Sequence, residues 1–344
     1  MTERLESKIR NPQSAIRKWA VVLPWVVAVG LLALALRTIS LAEVWATLRR
    51  LSLGGLAVLS LVNGLVLVSL NGRWWIILRA QGHTIPFFKL FGYRLAAFGV
   101  SYFTPGPHFG GEPVQVALVE RRHGVPRATA VAAVALDKSL ELLVNFFFLV
   151  VGVLVIMRQR LFGAMVDGTT AVLPIVLLAV PFLFLAATWR GWYPVTWGLR
   201  QMARLPWPWR ARWQPRADRL LAGLQASEAQ ATLFCQSSPA ALTAALLVSL
   251  LSWLLLIVEY GLMLRFLGLE LTAVQTIALL TAARIAYLLP LPGGLGTLEA
   301  SQVLTLTLLG LDPAAGLSAS LLIRARDVLL GVLGLWWGGR QWRK

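Results

Sequence analysis

The sequence predicts an all-α integral membrane protein with about six full transmembrane helices and two re-entrant helical hairpins, arranged as an inverted repeat. Three observations support this fold class. Apolar residues make up 58% of the 344 residues and charged residues only 14%, whereas soluble domains carry about 25% charged residues. Long apolar runs recur along the chain, and two further apolar segments are interrupted by Pro and Gly. We therefore predict a single polytopic membrane domain over 1–344.

Six apolar runs are long enough to cross a bilayer, which requires about 20 residues in a helix. They lie at about Trp19–Leu36, Leu53–Leu70, Ala128–Met157, Thr170–Trp189, Ala240–Leu267 and Pro313–Gly338. The net charge of +17 comes mainly from Lys and Arg in segments that this order places on the side of the N-terminus. Because cytoplasmic loops are enriched in these residues, we expect both termini to be cytoplasmic and no nucleic acid partner.

Two apolar segments, Pro86–Arg122 and Thr272–Leu309, are broken in the middle by Pro and Gly. Neither fits one straight helix, because Pro removes a backbone donor and clashes with the preceding turn. Each is interpreted as two half-helices that meet at a loop; the alternative is a full crossing. With the helix that follows, they form repeat one (86–157) and repeat two (272–338). The two spans between them make the repeats inverted, a recurrent plan among transporters.

The stretch 190–238 is a basic, Trp-rich connector, predicted to be cytoplasmic. It contains the run Trp207-Pro208-Trp209-Arg210-Ala211-Arg212-Trp213. Such a segment attracts anionic lipid headgroups, or it is an ordinary interfacial connector between the two repeats. The sequence leaves both interpretations open.

Charged residues occupy matching positions in the two repeats. Each repeat has an arginine before its break, a glutamate after it, and a basic and an acidic residue three apart on the next helix, where they can form a local ion pair. The candidate substrate-binding residues are Arg94, Glu112, Lys138 and Glu141 in repeat one and Arg284, Glu299, Arg324 and Asp327 in repeat two. A charge at the bilayer centre costs about 2.5–3.5 kcal/mol, so a functional role is expected.

The Gly-rich breaks start half-helices, whose free N–H groups and positive dipole ends bind phosphate. The glycines concerned are Gly110, Gly111, Gly293, Gly294 and Gly296. The predicted ligand group is therefore anionic, and a phospholipid phosphate fits a membrane site best. Glu112 and Glu299 either contact this ligand or cap the half-helices, and Glu259 is a possible partner for Arg94 or Arg284.

Catalytic and metal sites are not expected. The single cysteine, Cys235, excludes an intrachain disulfide, and the three histidines, His83, His108 and His123, lie in no ligand set with metal spacing. The sequence has no phosphate-binding loop of the nucleotide type and no nucleophile beside a base. We expect no catalytic residue, no metal, no cofactor and no enzyme activity.

Two motifs resemble a known family. Gly111-Glu112-Pro113 with Glu120-Arg121-Arg122-His123-Gly124, and the run Pro290-Leu291-Pro292-Gly293-Gly294-Leu295-Gly296-Thr297-Leu298-Glu299, are similar to the lysylphosphatidylglycerol synthase transmembrane region, also described as flippase-like. The resemblance covers about residues 20–338. It implies a multi-pass protein of a bacterial or archaeal inner membrane that moves lipids between leaflets. No synthase half follows Lys344, so lysyl transfer is not expected.

The leading functional interpretation is a flippase-like transporter of an anionic or aminoacylated phospholipid, or of another lipid-linked phosphate. Its partners would be membrane lipids with an anionic headgroup, and its oligomeric state is left open. Two alternatives stand beside it. One is a transporter of a small soluble anion, and the other is a membrane enzyme that acts on a polyprenyl phosphate or glycolipid.

Overall fold

The computed structural model describes residues 41–104, 110–161, 169, 171–204, 210–289, 291 and 294–343. These residues form helices and their connections, and no strand occurs among them. The helices are α1 (Leu41–Leu48), α2 (Leu53–Ala80), α3 (Phe87–Phe103), α4 (Glu112–His123), α5 (Arg127–Arg158), α6 (Val172–Trp189), α7 (Pro194–Arg204), α8 (Arg210–Ser237), α9 (Pro239–Phe266), α10 (Ala273–Leu288), α11 (Thr297–Leu308) and α12 (Pro313–Arg343). The all-α prediction is confirmed for this part of the chain.

Four of these helices, α2, α5, α6 and α9, are long and apolar enough to cross a membrane. They correspond to four of the six predicted spans. The predicted span Trp19–Leu36 lies outside the described residues. The sixth, at Pro313–Gly338, forms the 31-residue helix α12, which is less apolar because Arg324, Arg326 and Asp327 lie near its middle. The count of six spans and the inverted arrangement stay predictions.

Each broken segment forms two helices, as the sequence predicts. The first contains α3 and α4, and the second contains α10 and α11, and in each pair the two helices pack against each other. The second break needs glycine at position 296, because φ is +77° there, a conformation that other residues rarely adopt. Pro105 and Pro290 themselves lie outside the described residues. That the pairs are re-entrant stays a prediction.

Helices of each repeat pack against helices of the other repeat. The helix α3 of repeat one packs along α12 of repeat two, and α10 of repeat two packs on α5 of repeat one. Two further helices, α2 and α9, pack along each other beside these elements. This reciprocal packing brings the charged residues of both repeats around one central space.

Glycines allow α3 and α12 to approach closely. A Cβ atom at Gly334 would lie 2.0 Å from the carbonyl oxygen of Leu95, and one at Gly99 would lie 2.5 Å from the carbonyl oxygen of Gly331. Small residues at such contacts are typical of packed membrane helices. The interface between the repeats therefore depends on positions without side chains.

The connector contains the helices α7 and α8. The buried carboxylate of Glu228 on α8 accepts hydrogen bonds from the N–H groups of Val195 (2.8 Å) and Thr196 (3.0 Å) at the start of α7. This contact caps α7 and fixes it to α8. Trp207 and Trp209 lie outside the described residues, and the cytoplasmic position of the connector stays a prediction.

Candidate functional site

A cavity of about 580 Å³ lies where the two repeats meet, bordered by α2, α3, α4, α5, α6, α9, α10 and α12. Six of the eight predicted site residues line it. They are Arg94, Glu112, Lys138, Glu141, Arg284 and Asp327. The other two, Glu299 and Arg324, are not among the lining residues. The structure thus brings predicted residues of both repeats to one place.

In repeat one, an ion-pair network centres on Asp137. Its Oδ1 accepts from Nε of Arg73 (2.6 Å), and its Oδ2 accepts from Nη2 of Arg94. The side chain of Arg73 is 1% exposed and also donates to Oε2 of Glu141 (3.1 Å) and to Ser249. Arg73 and Asp137 are not among the eight site residues that the sequence predicts. The predicted span ended at Leu70, but α2 continues to Ala80 and carries Arg73 into the network.

Lys138 links the network of repeat one to its hairpin. Its Nζ donates to Oε1 of Glu141 (3.0 Å), which confirms the predicted local pair, and lies 3.6 Å from Oε1 of Glu112. Oε2 of Glu112 accepts from the N–H of Gly110 (2.8 Å). Glu112 therefore binds the loop before its half-helix and also borders the cavity. No side chain caps the first turn at Gly111, so the capping role considered for Glu112 is not supported, whereas its contact with a ligand stays a prediction.

In repeat two, Arg324 pairs with Glu299. Its Nε donates to Oε1 of Glu299 (2.7 Å), and its Nη2 donates to Oε2 (3.2 Å) and to the carbonyl oxygen of Gly294 (2.6 Å). Oε2 of Glu299 also accepts from the N–H of Gly296 (2.9 Å). Glu299 is 1% exposed. It is a buried cap at the hairpin tip, and the candidate substrate-binding role of Glu299 and Arg324 has no support in the lining of the cavity.

The prediction of a local ion pair between Arg324 and Asp327 is wrong. Asp327 instead pairs with Arg326, whose Nε donates to Oδ1 at 2.9 Å. Arg326 also donates to Oε1 of Glu259, which accepts a further hydrogen bond from Asn63 (3.1 Å). The sequence left Glu259 open as a partner for Arg94 or Arg284, and it pairs with neither. The spacing of three residues permits the predicted pair, but the carboxylate of Glu299 at the hairpin tip competes for Arg324.

Arg284 is the exception among these charges. It makes no hydrogen bond or ion pair with any described residue, and its Nε is buried without a partner. Its guanidinium lies 4.8 Å from the ring centroid of Trp253, which stacks on Phe148. A cation over an indole face gains some stabilisation, but the donors of the guanidinium stay available. Arg284 is thus a cation whose hydrogen-bond donors are available to a ligand in the cavity.

The described glycines of the two breaks do not offer free backbone donors. The N–H groups of Gly110, Gly111, Gly294 and Gly296 donate to Glu112, Ser101, Leu291 and Glu299, respectively. The prediction that these N–H groups bind phosphate is therefore not supported, because side chains and one carbonyl already occupy them. Gly293 lies outside the described residues. Positive charge for a ligand must come from side chains.

Apolar side chains make up most of the lining surface of the cavity. They come from helices of both repeats and from the flanking helices α2, α6 and α9. Examples are Leu67, Leu70, Phe91, Leu142, Phe146 and Leu177. The cavity therefore offers both a charged network and a surface that suits hydrocarbon.

The two glutamates that follow the breaks, Glu112 and Glu299, are expected to differ in their contribution to stability. Glu299→Gln removes a charge from a buried pair, and we expect it to lower the free energy of unfolding by about 3 kcal/mol. Glu112→Gln acts on a side chain that is 27% exposed, where an ion pair contributes about 0–1 kcal/mol. Thermal unfolding of both variants in detergent measures the difference. Equal effects would contradict the assignment of Glu299 as the buried cap.

Comparison with known proteins identifies a protein family. Residues 21–334 match the family model described as "Lysylphosphatidylglycerol synthase TM region". No curated protein and no solved structure matches the chain. The matched range includes both broken segments and every charged residue that lines the cavity.

Proposed function

Because the chain belongs to the lysylphosphatidylglycerol synthase TM region family, we propose that it moves a phosphate-bearing lipid between the leaflets of its membrane. The lipid is an anionic or aminoacylated phospholipid or another lipid-linked phosphate. The headgroup enters the cavity between the repeats, and its phosphate binds Arg284. The proposed location is a bacterial or archaeal inner membrane with both termini in the cytoplasm.

The observation that carries this proposal is the unpaired guanidinium of Arg284 in a cavity bordered by both repeats. Arg284 is partly buried, and its Nε is fully buried without a partner. Such a cation is costly, because the hydration that it loses is not replaced. The cost is offset when an anionic group binds. Arginine suits this role, since its planar fork of donors matches the oxygens of a phosphate.

The apolar lining favours a lipid over a small soluble anion. A phosphate lipid presents a charged headgroup next to hydrocarbon, and the cavity presents charged side chains next to leucine and phenylalanine. Burial of an acyl segment against such a surface contributes about 0.8 kcal/mol per CH₂ group. A soluble anion would gain nothing from these residues.

The test is leaflet exchange in proteoliposomes. Phosphatidylglycerol, aminoacyl-phosphatidylglycerol and a polyprenyl phosphate, each labelled on the hydrocarbon, are compared for the unmodified chain and for Arg284→Gln. We expect exchange of at least one lipid, and about a tenfold or greater slowing in the variant, because hydrogen bonds to charged groups contribute about 1.5–3 kcal/mol.

The matched control is Arg265→Gln, which removes an exposed arginine at the end of α9 and is expected to leave exchange unchanged. If the folded chain exchanges none of the lipids, the proposal fails. Uptake of inorganic phosphate without lipid exchange would instead indicate a transporter of a soluble anion. Equal rates for the two arginine variants would show that Arg284 does not bind the headgroup.

A further inference from the structure

The charges around the cavity balance. Together with Arg73, which lies behind the lining against two of its carboxylates, the described charged residues that line the cavity comprise equal numbers of cations and carboxylates. The cations are Arg73, Arg94, Lys138, Arg284 and Arg326, and the carboxylates are Glu112, Asp137, Glu141, Glu259 and Asp327. With Arg73 counted, these described residues therefore carry no net formal charge.

Four of the carboxylates have a partner for each oxygen. Both oxygens of Asp137 and of Glu141 accept from arginine or lysine. Glu112 meets Lys138 and the N–H of Gly110, and Glu259 meets Arg326 and Asn63. These groups form a closed network, so they hold the shape of the cavity and offer little to a ligand.

Arg94 binds Asp137 through Nη2, although its Nε is buried without a partner. Two further groups, of opposite charge, keep free hydrogen-bonding capacity. One is the guanidinium of Arg284, and the other is Oδ2 of Asp327, to which no described residue donates a hydrogen bond. Oδ1 of Asp327 accepts from Arg326, and the residue is only 7% exposed. Both residues line the cavity, and they form no ion pair with each other. They stand on different helices, Arg284 on α10 and Asp327 on α12.

Separated opposite charges in a cavity with a mainly apolar lining are best satisfied by a ligand that carries both charges. An anionic headgroup would pair with Arg284 but would leave Oδ2 of Asp327 without a partner and the cavity negative. A headgroup with an excess positive charge would leave the cavity positive. Uncompensated buried charge is costly in either case. A headgroup of zero net charge keeps the balance.

We infer that the preferred headgroup is a zwitterion with one phosphate and one ammonium, in which the phosphate contacts Arg284 and the ammonium donates to Oδ2 of Asp327. This inference rests on the proposed function, the movement of a phosphate-bearing lipid, and selects a headgroup of zero net charge over an anionic one. Phosphatidylethanolamine is the simplest probe of that chemistry. Phosphatidylglycerol lacks the ammonium, phosphatidylcholine has no N–H donor, and lysyl-phosphatidylglycerol has a net positive charge.

The test compares leaflet exchange of these four lipids, labelled on an acyl chain so that each headgroup stays intact. We expect phosphatidylethanolamine to exchange about tenfold faster than phosphatidylglycerol, since the extra contact is a charge-assisted hydrogen bond. Phosphatidylcholine and lysyl-phosphatidylglycerol are expected to be slower than phosphatidylethanolamine. Exchange of phosphatidylglycerol as fast as phosphatidylethanolamine would overturn the inference and leave the proposed function standing. Exchange of no lipid at all would overturn both.

Substitutions separate the two contacts. Asp327→Asn is expected to remove the tenfold preference by slowing phosphatidylethanolamine and not phosphatidylglycerol, whereas Arg284→Gln slows both lipids. Asp218→Asn, the same change at an exposed position of the connector, is the matched control and should leave the preference intact. Asp327→Glu retains a carboxylate and should preserve part of the preference, which guards against a folding defect in the asparagine variant. An unchanged preference in folded Asp327→Asn would overturn the assignment of the ammonium contact.

Discussion

Replacement of Arg73 by methionine is expected to lower the free energy of unfolding by about 3–5 kcal/mol, the typical cost of breaking a buried ion pair from one side. Arg73 is 1% exposed and holds Asp137 and Glu141 at once. Methionine fills much of the same volume but donates no hydrogen bond. The change therefore leaves one oxygen of the buried Asp137 and one oxygen of the partly exposed Glu141 without its partner.

Arg79→Met is the matched control on the same helix. Arg79 is exposed and lies over the ring of Trp75 at 4.9 Å, a contact that contributes about 0.5–1 kcal/mol at an exposed site. Unfolding of both variants by heat or by denaturing detergent measures the difference. Equal stability of the two variants would show that Arg73 is not the centre of the network.

The variant Arg73→Lys separates the loss of the positive charge from the loss of the guanidinium geometry. Lysine retains the charge, but its single ammonium does not reproduce the planar fork that reaches two carboxylates. We expect a stability between those of the unmodified chain and Arg73→Met. Both carboxylates line the cavity, so the methionine variant should also lose lipid exchange before it unfolds. Retention of full exchange in that variant would contradict a role for the network in shaping the site.

Substitution of Gly334 by alanine is expected to destabilise the contact between the repeats by about 1–3 kcal/mol, the usual cost of overpacking. The added Cβ would lie 2.0 Å from the carbonyl oxygen of Leu95, and backbone cannot yield without a shift of α3 against α12. Arg94 lies beside Leu95 and borders the cavity, so such a shift would also disturb the site. We expect a lower unfolding temperature and slower lipid exchange.

Gly339→Ala provides the control on the same helix. A Cβ atom at Gly339 meets nothing within 4 Å, and alanine in a helix is favoured over glycine by about 0.5–1 kcal/mol. This variant should therefore be slightly more stable than the unmodified chain. A loss of stability in Gly339→Ala as large as in Gly334→Ala would attribute the effect to helix propensity or to the membrane surface and not to packing.

The sequence was a reliable guide wherever the controlling chemistry is local. Pro and Gly fix where the two apolar segments break, and the observed half-helices Phe87–Phe103, Glu112–His123, Ala273–Leu288 and Thr297–Leu308 lie within the predicted segments. Apolar runs predicted four helices that are able to span a membrane. The pair of Lys138 and Glu141 also follows from local geometry, since residues three apart share a face of a helix.

The tertiary structure decided which charged residues form ion pairs with each other. The sequence by itself determined which charged residues sit in apolar surroundings, and six of the eight selected do border the cavity. It did not determine that Arg324 would meet Glu299, that Arg326 would meet Glu259, or that Arg73 would join Asp137 and Glu141. Those partners are separated by 25 to 68 residues, and only the packing of the helices brings them within ion-pair distance. Coulombic attraction in a poorly hydrated interior then favours the nearest well-oriented carboxylate. Arg284 is left open because no carboxylate of the described residues lies within ion-pair distance of it.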